Sequence, residues 1–205
     1  MKNILVTGGA GFIGSAFVRH MVEKYPHYTI IVLDKLTYAG NTDNLLPVHD
    51  EPNYRFERGD IADAVTVKRV LESYQVDAIV NFAAESHVDR SILSSHAFLE
   101  TDVIGVYVLL EQARALGITR FHQVSTDEVY GWRAEGTFKE TDTLQPNNPY
   151  SAAKAGGEMM VRAYHVTHGM YTTITRGSNT YGPYQYPEKM MPLFITEAID
   201  DRPLP

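Results

Sequence analysis

Short apolar runs alternate with longer segments of helical periodicity along this chain of 205 residues. Runs rich in Ile, Val and Leu predict strands near 4–6, 29–33, 54–56, 78–82, 120–124 and 172–175. The segments between them predict helices near 13–24, 63–74, 95–116 and 149–168. Strands that alternate with helices indicate parallel βαβ units, and runs such as IIVL indicate a sheet covered on both faces. We therefore expect an α/β fold, a doubly wound parallel sheet of the Rossmann type.

The pattern changes after Gly177, where a loop rich in Tyr and Pro leads to one further helical stretch near 190–200. We expect a dinucleotide-binding Rossmann domain over 1–177 and only the beginning of a substrate-binding lobe over 178–205. The longest irregular stretch inside the first domain is expected between Gly131 and Pro149.

Composition and charge narrow the classes of partner. The chain is 44% hydrophobic and 21% charged, as is usual for a globular protein. Its net charge of -7, without a Lys/Arg cluster, argues against binding nucleic acid or an anionic membrane. The longest apolar run, at 103–110, is shorter than the about 20 residues of a membrane span. The absence of cysteine and of a secretory signal pattern predicts a cytoplasmic protein that acts on small molecules.

A glycine-rich stretch, TGGAGFIG at 7–14, follows the first predicted strand and begins a helix. Gly8, Gly11 and Gly14 permit a tight turn and close approach of a pyrophosphate to the helix N-terminus. Asp34 ends the next strand about 20 residues later, where a carboxylate can accept hydrogen bonds from ribose hydroxyls. Because this carboxylate would repel a 2′-phosphate, the pattern favours NAD over NADP as the cofactor.

Asp60 follows the third predicted strand and has two interpretations. It could accept a hydrogen bond from the adenine amino group, or it could be the N-cap of the next helix. Neighbouring residues complete the candidate NAD contacts: Phe12, Ile13, Lys35, Thr37, Ile61 and Ala83.

His165 and His168 lie three apart without a third ligand nearby, which favours two surface residues over a metal site.

Tyr150 and Lys154 lie four residues apart just inside a predicted helix, so their side chains leave the same face. A phenol is a poor base, but the lysine ammonium and a nicotinamide cation would favour its ionised form and lower its pKa from about 10. Alone, this spacing would also fit two exposed helix residues. After a dinucleotide loop it indicates oxidation of a carbinol, in which Tyr150 takes the hydroxyl proton while a hydride passes to NAD.

Thr126, Asp127 and Glu128 follow the fifth predicted strand within STDEVYG at 125–131. Adjacent carboxylates repel each other, so their position at the end of a buried strand requires an explanation. A partly desolvated pair tends to hold one proton between its members, which provides an acid and a base together. The alternative is a pair of solvated acids in a loop or at a helix N-terminus.

TGGAGFIG, the Asp34 position and YSAAK at 150–154 resemble the extended short-chain dehydrogenase/reductase family, the NAD-dependent epimerases and dehydratases of nucleotide sugars. Four further stretches narrow the resemblance to the dTDP-glucose 4,6-dehydratases: LDKLTYAGN, NFAAESHVDRS, STDEVYG and SNTYGPYQYPEK. Sister epimerases and decarboxylases usually carry small or hydroxyl residues where Asp127 and Glu128 stand. The chain departs from the family pattern at Gly177 and Thr180, and the family is normally much longer.

The resemblance implies an NAD-dependent lyase that makes a 4-keto-6-deoxy sugar nucleotide for deoxysugar synthesis. It implies Glu128 as the base at C5, Asp127 as the acid at C6, and Thr126 as a hydrogen-bond partner of the C4 oxygen alongside Tyr150. It places five residues near a substrate like dTDP-glucose: Ser86, His87, Asn179, Glu188 and Lys189. A structural role fits His87 equally well, and Arg176 is as well explained by structure as by function.

The resemblance also implies a homodimer through the helices near 95–116 and 149–168, although their apolar residues could equally be intrachain core. Two other functions stay open at this point. A sugar-nucleotide 4-epimerase is disfavoured by the acid pair. A non-catalytic NAD-binding fragment would result if the missing lobe is needed to position the sugar, because remote binding energy would be lost. Residues that read the nucleotide base are expected beyond Pro205.

Overall fold

A computed structural model describes residues 2–204, and a six-stranded parallel sheet forms its centre. Met1 and Pro205, the outer limits of the two predicted domains, lie outside the described residues. The strands are β1 (Asn3–Thr7), β2 (Thr29–Asp34), β3 (Tyr54–Arg58), β4 (Ala78–Asn81), β5 (Arg120–Thr126) and β6 (Tyr171–Gly177). Their order is β3-β2-β1-β4-β5-β6, and all neighbours are parallel. This confirms the doubly wound sheet, whose ligand crevice lies where the strand order reverses, between β1 and β4.

The helices are α1 (Phe12–Lys24), α2 (Ala64–Ser73), α3 (Val88–Leu93), α4 (His96–Leu99), α5 (Val106–Ala115), α6 (Pro149–His168) and α7 (Met190–Ile199). Two 3-10 helices occupy Thr42–Val48 and Asp127–Tyr130. The single helix predicted near 95–116 is α4, a π-helical turn at Glu100–Gly105 and α5. The pattern missed α3 and the first 3-10 helix because both are too short to show a clear period. Across residues 2–204, no helix has both the length and the apolar character to cross a membrane.

In the described part of the chain, two large apolar clusters form most of the core, one on each face of the sheet, and a small third cluster surrounds Val129. In β1, Ile4 and Val6 face α1 and the 3-10 helix at 42–48, whereas Leu5 faces the cluster that contains residues of α2, α5 and α6. Successive side chains of a strand point to opposite faces, so an apolar run supplies both clusters. The expectation of two covered faces is wrong at the β6 edge, where Thr173 and Thr175 are exposed. These threonines alternate with half-buried residues, as on a strand that has one solvated face.

Candidate active site

The glycine-rich loop joins β1 to α1, and its glycines are sterically required. Gly8 has a φ of 65°, and a Cβ there would lie 2.5 Å from the backbone nitrogen of Ala83. A Cβ on Gly14 would lie 2.2 Å from the carbonyl oxygen of Gly8, whereas one on Gly11 would lie 3.3 Å from the same oxygen. Within the described chain, no side chain caps α1, so its first N–H groups remain available to an anion. This loop therefore fits a pyrophosphate group.

Asp34 ends β2 beside this loop, and backbone groups hold its carboxylate. Its Oδ2 accepts a hydrogen bond from the Ala10 N–H at 2.9 Å, and its Oδ1 accepts one from the Leu36 N–H at 2.8 Å. Burial raises the pKa of Asp34, and these two hydrogen bonds oppose the increase. Each carboxylate oxygen can accept a further hydrogen bond, so the group remains able to bind ribose hydroxyls.

Lys35 and Asp60 form an ion pair, with Nζ 2.6 Å from Oδ2, at the carboxyl ends of β2 and β3. The N-cap of α2 is Asp63, whose side chain accepts a hydrogen bond from the helix backbone. The alternative that Asp60 is the N-cap is therefore wrong, because the helix begins further along the chain. Ile61 is buried in the core.

The other candidate cofactor contacts differ in exposure: Ile13 and Thr37 are exposed, and Phe12 and Ala83 are half-buried. Within residues 2–204, no group of three or more His, Cys, Asp or Glu side chains is placed to hold a metal ion.

Tyr150 and Lys154 lie near the start of α6, which has strong N-terminal signals. Asn148 caps the helix in a reciprocal pair with Ser151, and proline occupies the first helical position. The Lys154 ammonium donates a hydrogen bond to the Val124 carbonyl at 2.9 Å. The cap therefore fixes the start of α6, and one turn later Lys154 contacts the end of β5.

The pKa of Tyr150 is raised, chiefly because its phenol is buried. A hydrogen bond with Thr126 lowers it, whereas the carboxylates of Asp102, Glu128 and Asp127 raise it further. The protein groups by themselves therefore raise the pKa of Tyr150, and the lowering expected from Lys154 together with a nicotinamide cation stays a prediction.

Asp102 is the acid that the sequence analysis missed. It lies in the π-helical turn, is 1% exposed, and its Oδ1 is 3.6 Å from the Lys154 Nζ. Burial raises its pKa to about 7, and the Lys154 charge opposes this increase. The Lys154 ammonium is therefore shared between a carbonyl and a buried acid. The available signal in the sequence was the position of Asp102 directly before the apolar helical run VIGVYVLL.

We expect Asp102 to make stability pH-dependent. Its pKa rises from the usual 3.8 to about 7, so between these values the folded protein keeps a proton that the unfolded chain releases. The free energy of unfolding should therefore decrease as the pH rises through this window, by on the order of a few kcal/mol. When the free energy of unfolding is measured with urea at several pH values between 3.8 and about 7, it should decrease less with pH for Asp102→Asn than for the wild type. Equal slopes would contradict the assignment, because the other buried acids are the same in both proteins.

The acid pair occupies the first turn of the 3-10 helix Asp127–Tyr130. Thr126 is its N-cap, and the Thr126 Oγ1 accepts a hydrogen bond from the Glu128 N–H at 3.2 Å. The Asn148 side chain donates a hydrogen bond to Glu128 Oε2, also at 3.2 Å. The helix N-terminal alternative is thus correct for the local structure. Both acids are nevertheless half-buried, and they line a cavity of about 290 Å³ together with Asn179, Gly131 and Phe138.

A second group of predicted residues lies where the 178–189 loop meets the segment after β4. Ser86 donates a hydrogen bond to Glu188 Oε1 at 3.3 Å, and Lys189 donates one to the Ser86 carbonyl at 2.6 Å. The Tyr38 hydroxyl, which the sequence analysis did not single out, lies 3.4 Å from the same Glu188 oxygen. Among the described residues, Glu188 Oε2 and His87 Nδ1 are buried without a hydrogen-bond partner. The structure therefore joins four of the five predicted substrate residues here and places Asn179 beside the acid pair.

The chain is similar to known proteins over almost its whole length. The family model described as GDP-mannose 4,6 dehydratase matches residues 5–202. A dTDP-glucose 4,6-dehydratase of Neisseria meningitidis serogroup B is 48% identical, with an alignment that covers 100% of this chain and 61% of that protein. One of Streptomyces niveus is 52% identical, with 98% and 61% covered. The crystal structure of a dTDP-glucose 4,6-dehydratase from Streptomyces venezuelae with NAD bound has a TM-score of 0.93 and 53% identity, and the match covers 97% of this chain and 62% of that one. The chain thus spans less than two thirds of these relatives.

Proposed function

Because the chain belongs to the GDP-mannose 4,6 dehydratase family, we propose that it catalyses, or is the NAD-binding part of a protein that catalyses, dehydration of dTDP-glucose to dTDP-4-keto-6-deoxyglucose. The observation that carries this proposal is that Asn148 joins the two groups: it caps α6 directly before Tyr150, and its side chain donates a hydrogen bond to Glu128 Oε2 at 3.2 Å. One end of the sheet therefore combines a phenol suited to carbinol oxidation with two carboxyl groups suited to elimination. These two sets of groups match the two halves of a 4,6-dehydration.

We propose NAD as the cofactor, held by the glycine-rich loop and Asp34. The close contacts at Gly8 and Gly14 leave no room for side chains, and the uncapped start of α1 suits the pyrophosphate. The Asp34 carboxylate would accept hydrogen bonds from the ribose and would repel a 2′-phosphate. When bound, NAD would accept a hydride from C4 of the sugar and return it to C6.

In the first half of the reaction, Tyr150 takes the proton of the C4 hydroxyl, and Thr126 hydrogen-bonds the same oxygen. Lys154 holds this end of α6 against β5 through the Val124 carbonyl, and its ammonium supplies positive charge that Asp102 partly offsets. The resulting C4 ketone acidifies the proton on C5.

In the second half, Glu128 takes the C5 proton and Asp127 protonates the departing C6 hydroxyl. Water leaves and a double bond forms between C5 and C6, so the two carboxyl groups must start in opposite protonation states. The Asn148 side chain donates a hydrogen bond to Glu128 Oε2, which would hold this carboxyl group in place for the C5 proton. Glu128 returns its proton to C5 as the hydride reaches C6.

The acid pair favours this reaction over a sugar-nucleotide 4-epimerase, which inverts C4 and eliminates no water. The alternative that is not an enzyme is a chain that binds NAD without catalysing a reaction. The exposed apolar residues of α7 support a division near Gly177, after which only the start of a second lobe would be present: Met190, Met191, Ile195 and Ile199. A cytoplasmic location stays a prediction of the sequence.

The proposal is tested by mixing the purified chain with NAD and dTDP-glucose. Product is followed by the absorbance that a 4-keto-6-deoxy sugar develops in alkali, and NAD binding is followed by protection against thermal unfolding. Product formation supports the dehydratase. Thermal protection without product supports the binding-only chain, and the absence of both contradicts the proposed cofactor as well as the reaction.

We also propose a homodimer that pairs helices α4 to α6 with those of a second copy. These helices expose apolar side chains that the chain's own core does not use: Leu99, Ile104, Tyr107, Met159 and Val166. Exposed apolar side chains on helices that pack against one another support a protein interface there.

Ile104→Asp should convert the dimer to monomers, because a carboxylate would be buried without a partner in the proposed interface. Light scattering coupled to size-exclusion chromatography measures the mass. Val65→Asp is the control, since Val65 is also an exposed apolar residue but lies on α2, outside the proposed interface. A monomeric wild type, or an Ile104→Asp variant that stays dimeric, would refute this interface.

A further inference from the structure

A buried ion pair connects β6 and α6 next to the acid pair. The Arg176 Nε is 3.1 and 3.0 Å from the two carboxylate oxygens of Glu158, and Nη2 donates to Oε2 at 2.6 Å. Glu158 is fully buried, and its hydrogen bond is the largest influence that raises the pKa of Arg176. The arginine is therefore permanently charged and held in one orientation. A buried carboxylate with this geometry loses much more from removal of its partner than a surface pair does.

Tyr130 extends this ion pair to the helix that carries the acids. The Arg176 Nη1 donates a hydrogen bond to the Tyr130 hydroxyl oxygen at 2.6 Å. The Tyr130 ring stacks on Phe138, with centroids 4.9 Å apart and an interplanar angle of 7°. Tyr130 is the last residue of the 3-10 helix in which Asp127 and Glu128 are the first two. Its phenol is therefore a fixed point two residues from Glu128.

A 3-10 helix of four residues has too few internal hydrogen bonds to hold its own geometry, so its position depends on its anchors. At the N-terminal end, the anchors are the Thr126 cap and the Asn148 contact with Glu128. At the C-terminal end, Arg176 holds the Tyr130 hydroxyl, while Val129 packs in a small apolar cluster and its carbonyl accepts a hydrogen bond from the Gln145 N–H. Arg176 is thus the polar side-chain anchor at this end. The same arginine lies three residues before Asn179, which lines the cavity with both acids.

We propose that Arg176, Glu158 and Tyr130 are positioning residues for the elimination of water, an inference that rests on the proposed dehydratase function. Arg176 sets the helix that carries Asp127 and Glu128 through Tyr130. Tyr150 lies in the first turn of α6 beside the Asn148 cap, and loss of the Tyr130 hydroxyl would leave both this cap and the Arg176–Glu158 ion pair on α6 in place. Loosening the anchor should therefore slow the acid–base step while leaving the oxidation at C4 largely intact.

Tyr130→Phe is the sharpest test, because it removes one hydrogen bond and keeps the stacked ring. We expect kcat for product to fall by about 10- to 100-fold with little change in KM, since small misplacement of catalytic groups costs this much. Reduced cofactor should accumulate during turnover, because oxidation would outpace elimination. Tyr171→Phe is the control, as Tyr171 is exposed on β6. Unchanged kcat, or equal slowing of both steps without accumulation, would overturn the proposal.

A second measurement does not depend on activity. Trp132 is the single tryptophan of the chain, lies two residues after Tyr130 and is 79% exposed. Its fluorescence anisotropy should fall in Tyr130→Phe relative to the wild type and Tyr171→Phe, because the segment after the 3-10 helix would move more freely. Unchanged anisotropy would overturn the positioning role of Arg176 and Tyr130, whether or not the wild type forms product. Absence of product in the wild type would count only against the proposed dehydratase function.

Arg176→Lys provides an independent variant. A lysine keeps a positive charge for the buried Glu158, but its single ammonium cannot reproduce the planar fork that reaches Glu158 and Tyr130 together. The same loss of kcat, accumulation of reduced cofactor and lower Trp132 anisotropy are expected. If Tyr130→Phe changes these signals and a folded Arg176→Lys does not, the arginine is not the anchor.

Discussion

Glu128→Gln should lower product formation by about 10²- to 10⁴-fold, the usual contribution of a general acid or base. The amide has the size of the carboxyl group and can still accept the hydrogen bond from Asn148, but it cannot take the C5 proton. Asp127→Asn should have an effect in the same range, because it removes the proton donor for the C6 hydroxyl. Both rates are measured against the wild-type chain with the alkali absorbance of the product.

The step that these variants block can be identified from the cofactor. Both keep Tyr150, so oxidation at C4 should proceed and reduced cofactor should accumulate. Glu135→Gln is the matched control, because Glu135 is an exposed acid in the irregular segment that follows the 3-10 helix. Wild-type rates in either acid variant would exclude the acid–base roles, and equal loss in Glu135→Gln would point to a general charge effect instead.

Tyr150→Phe should reduce product formation by a similar factor of about 10² to 10⁴, but through the other half of the reaction. The variant keeps the aromatic ring, whose centroid lies 6.3 Å from that of Phe98 in an edge-on arrangement. It removes only the hydroxyl that takes the C4 proton. Neither reduced cofactor nor product should form at an appreciable rate. Thermal protection by NAD should persist, because the glycine-rich loop and Asp34 are unchanged.

The wild type should also become faster at C4 oxidation as the pH rises. Burial and the neighbouring carboxylates raise the pKa of Tyr150, so only a small share of the phenol is ionised near neutral pH. This share increases tenfold for each pH unit below that pKa. A single-turnover rate of cofactor reduction that does not change with pH would contradict Tyr150 as the proton acceptor. A rate that rises with pH in the wild type, with no reduced cofactor formed by Tyr150→Phe at any pH, would support it.

The regular elements of the fold were predictable because their signals are local. The alternation of apolar runs located all six strands, and α6 was placed at its observed limits, where Pro149 and the Asn148 cap mark its start. The stretch near 95–116 was not predictable in detail. Its sequence favours one long helix, but the chain inserts a π-helical turn where Gly105 packs against Ile61, a contact between distant segments.

The residues of the candidate site were also only partly predictable from the sequence. The acid pair, Tyr150 and Lys154 were identified from residue types and spacing, and in the structure Asn148, the cap of the helix that carries Tyr150, donates a hydrogen bond to Glu128. Asp102 was missed, because an acid within an apolar helix gives no indication of what it will face. Its effect on Lys154 depends on a distance of 3.6 Å between two helical segments.

By itself, the sequence determined the order of strands and helices, the glycine-rich loop and the identity of the chemical groups, because each of these follows from residues close together in the chain. Only the tertiary structure decided which charges are compensated and which groups are fixed. Lys154 meets Asp102, and Arg176 joins Glu158 to Tyr130, across separations of many residues. The reason is physical: burial and electrostatic interaction depend on distance in space, and that distance is set by the packing of the whole domain.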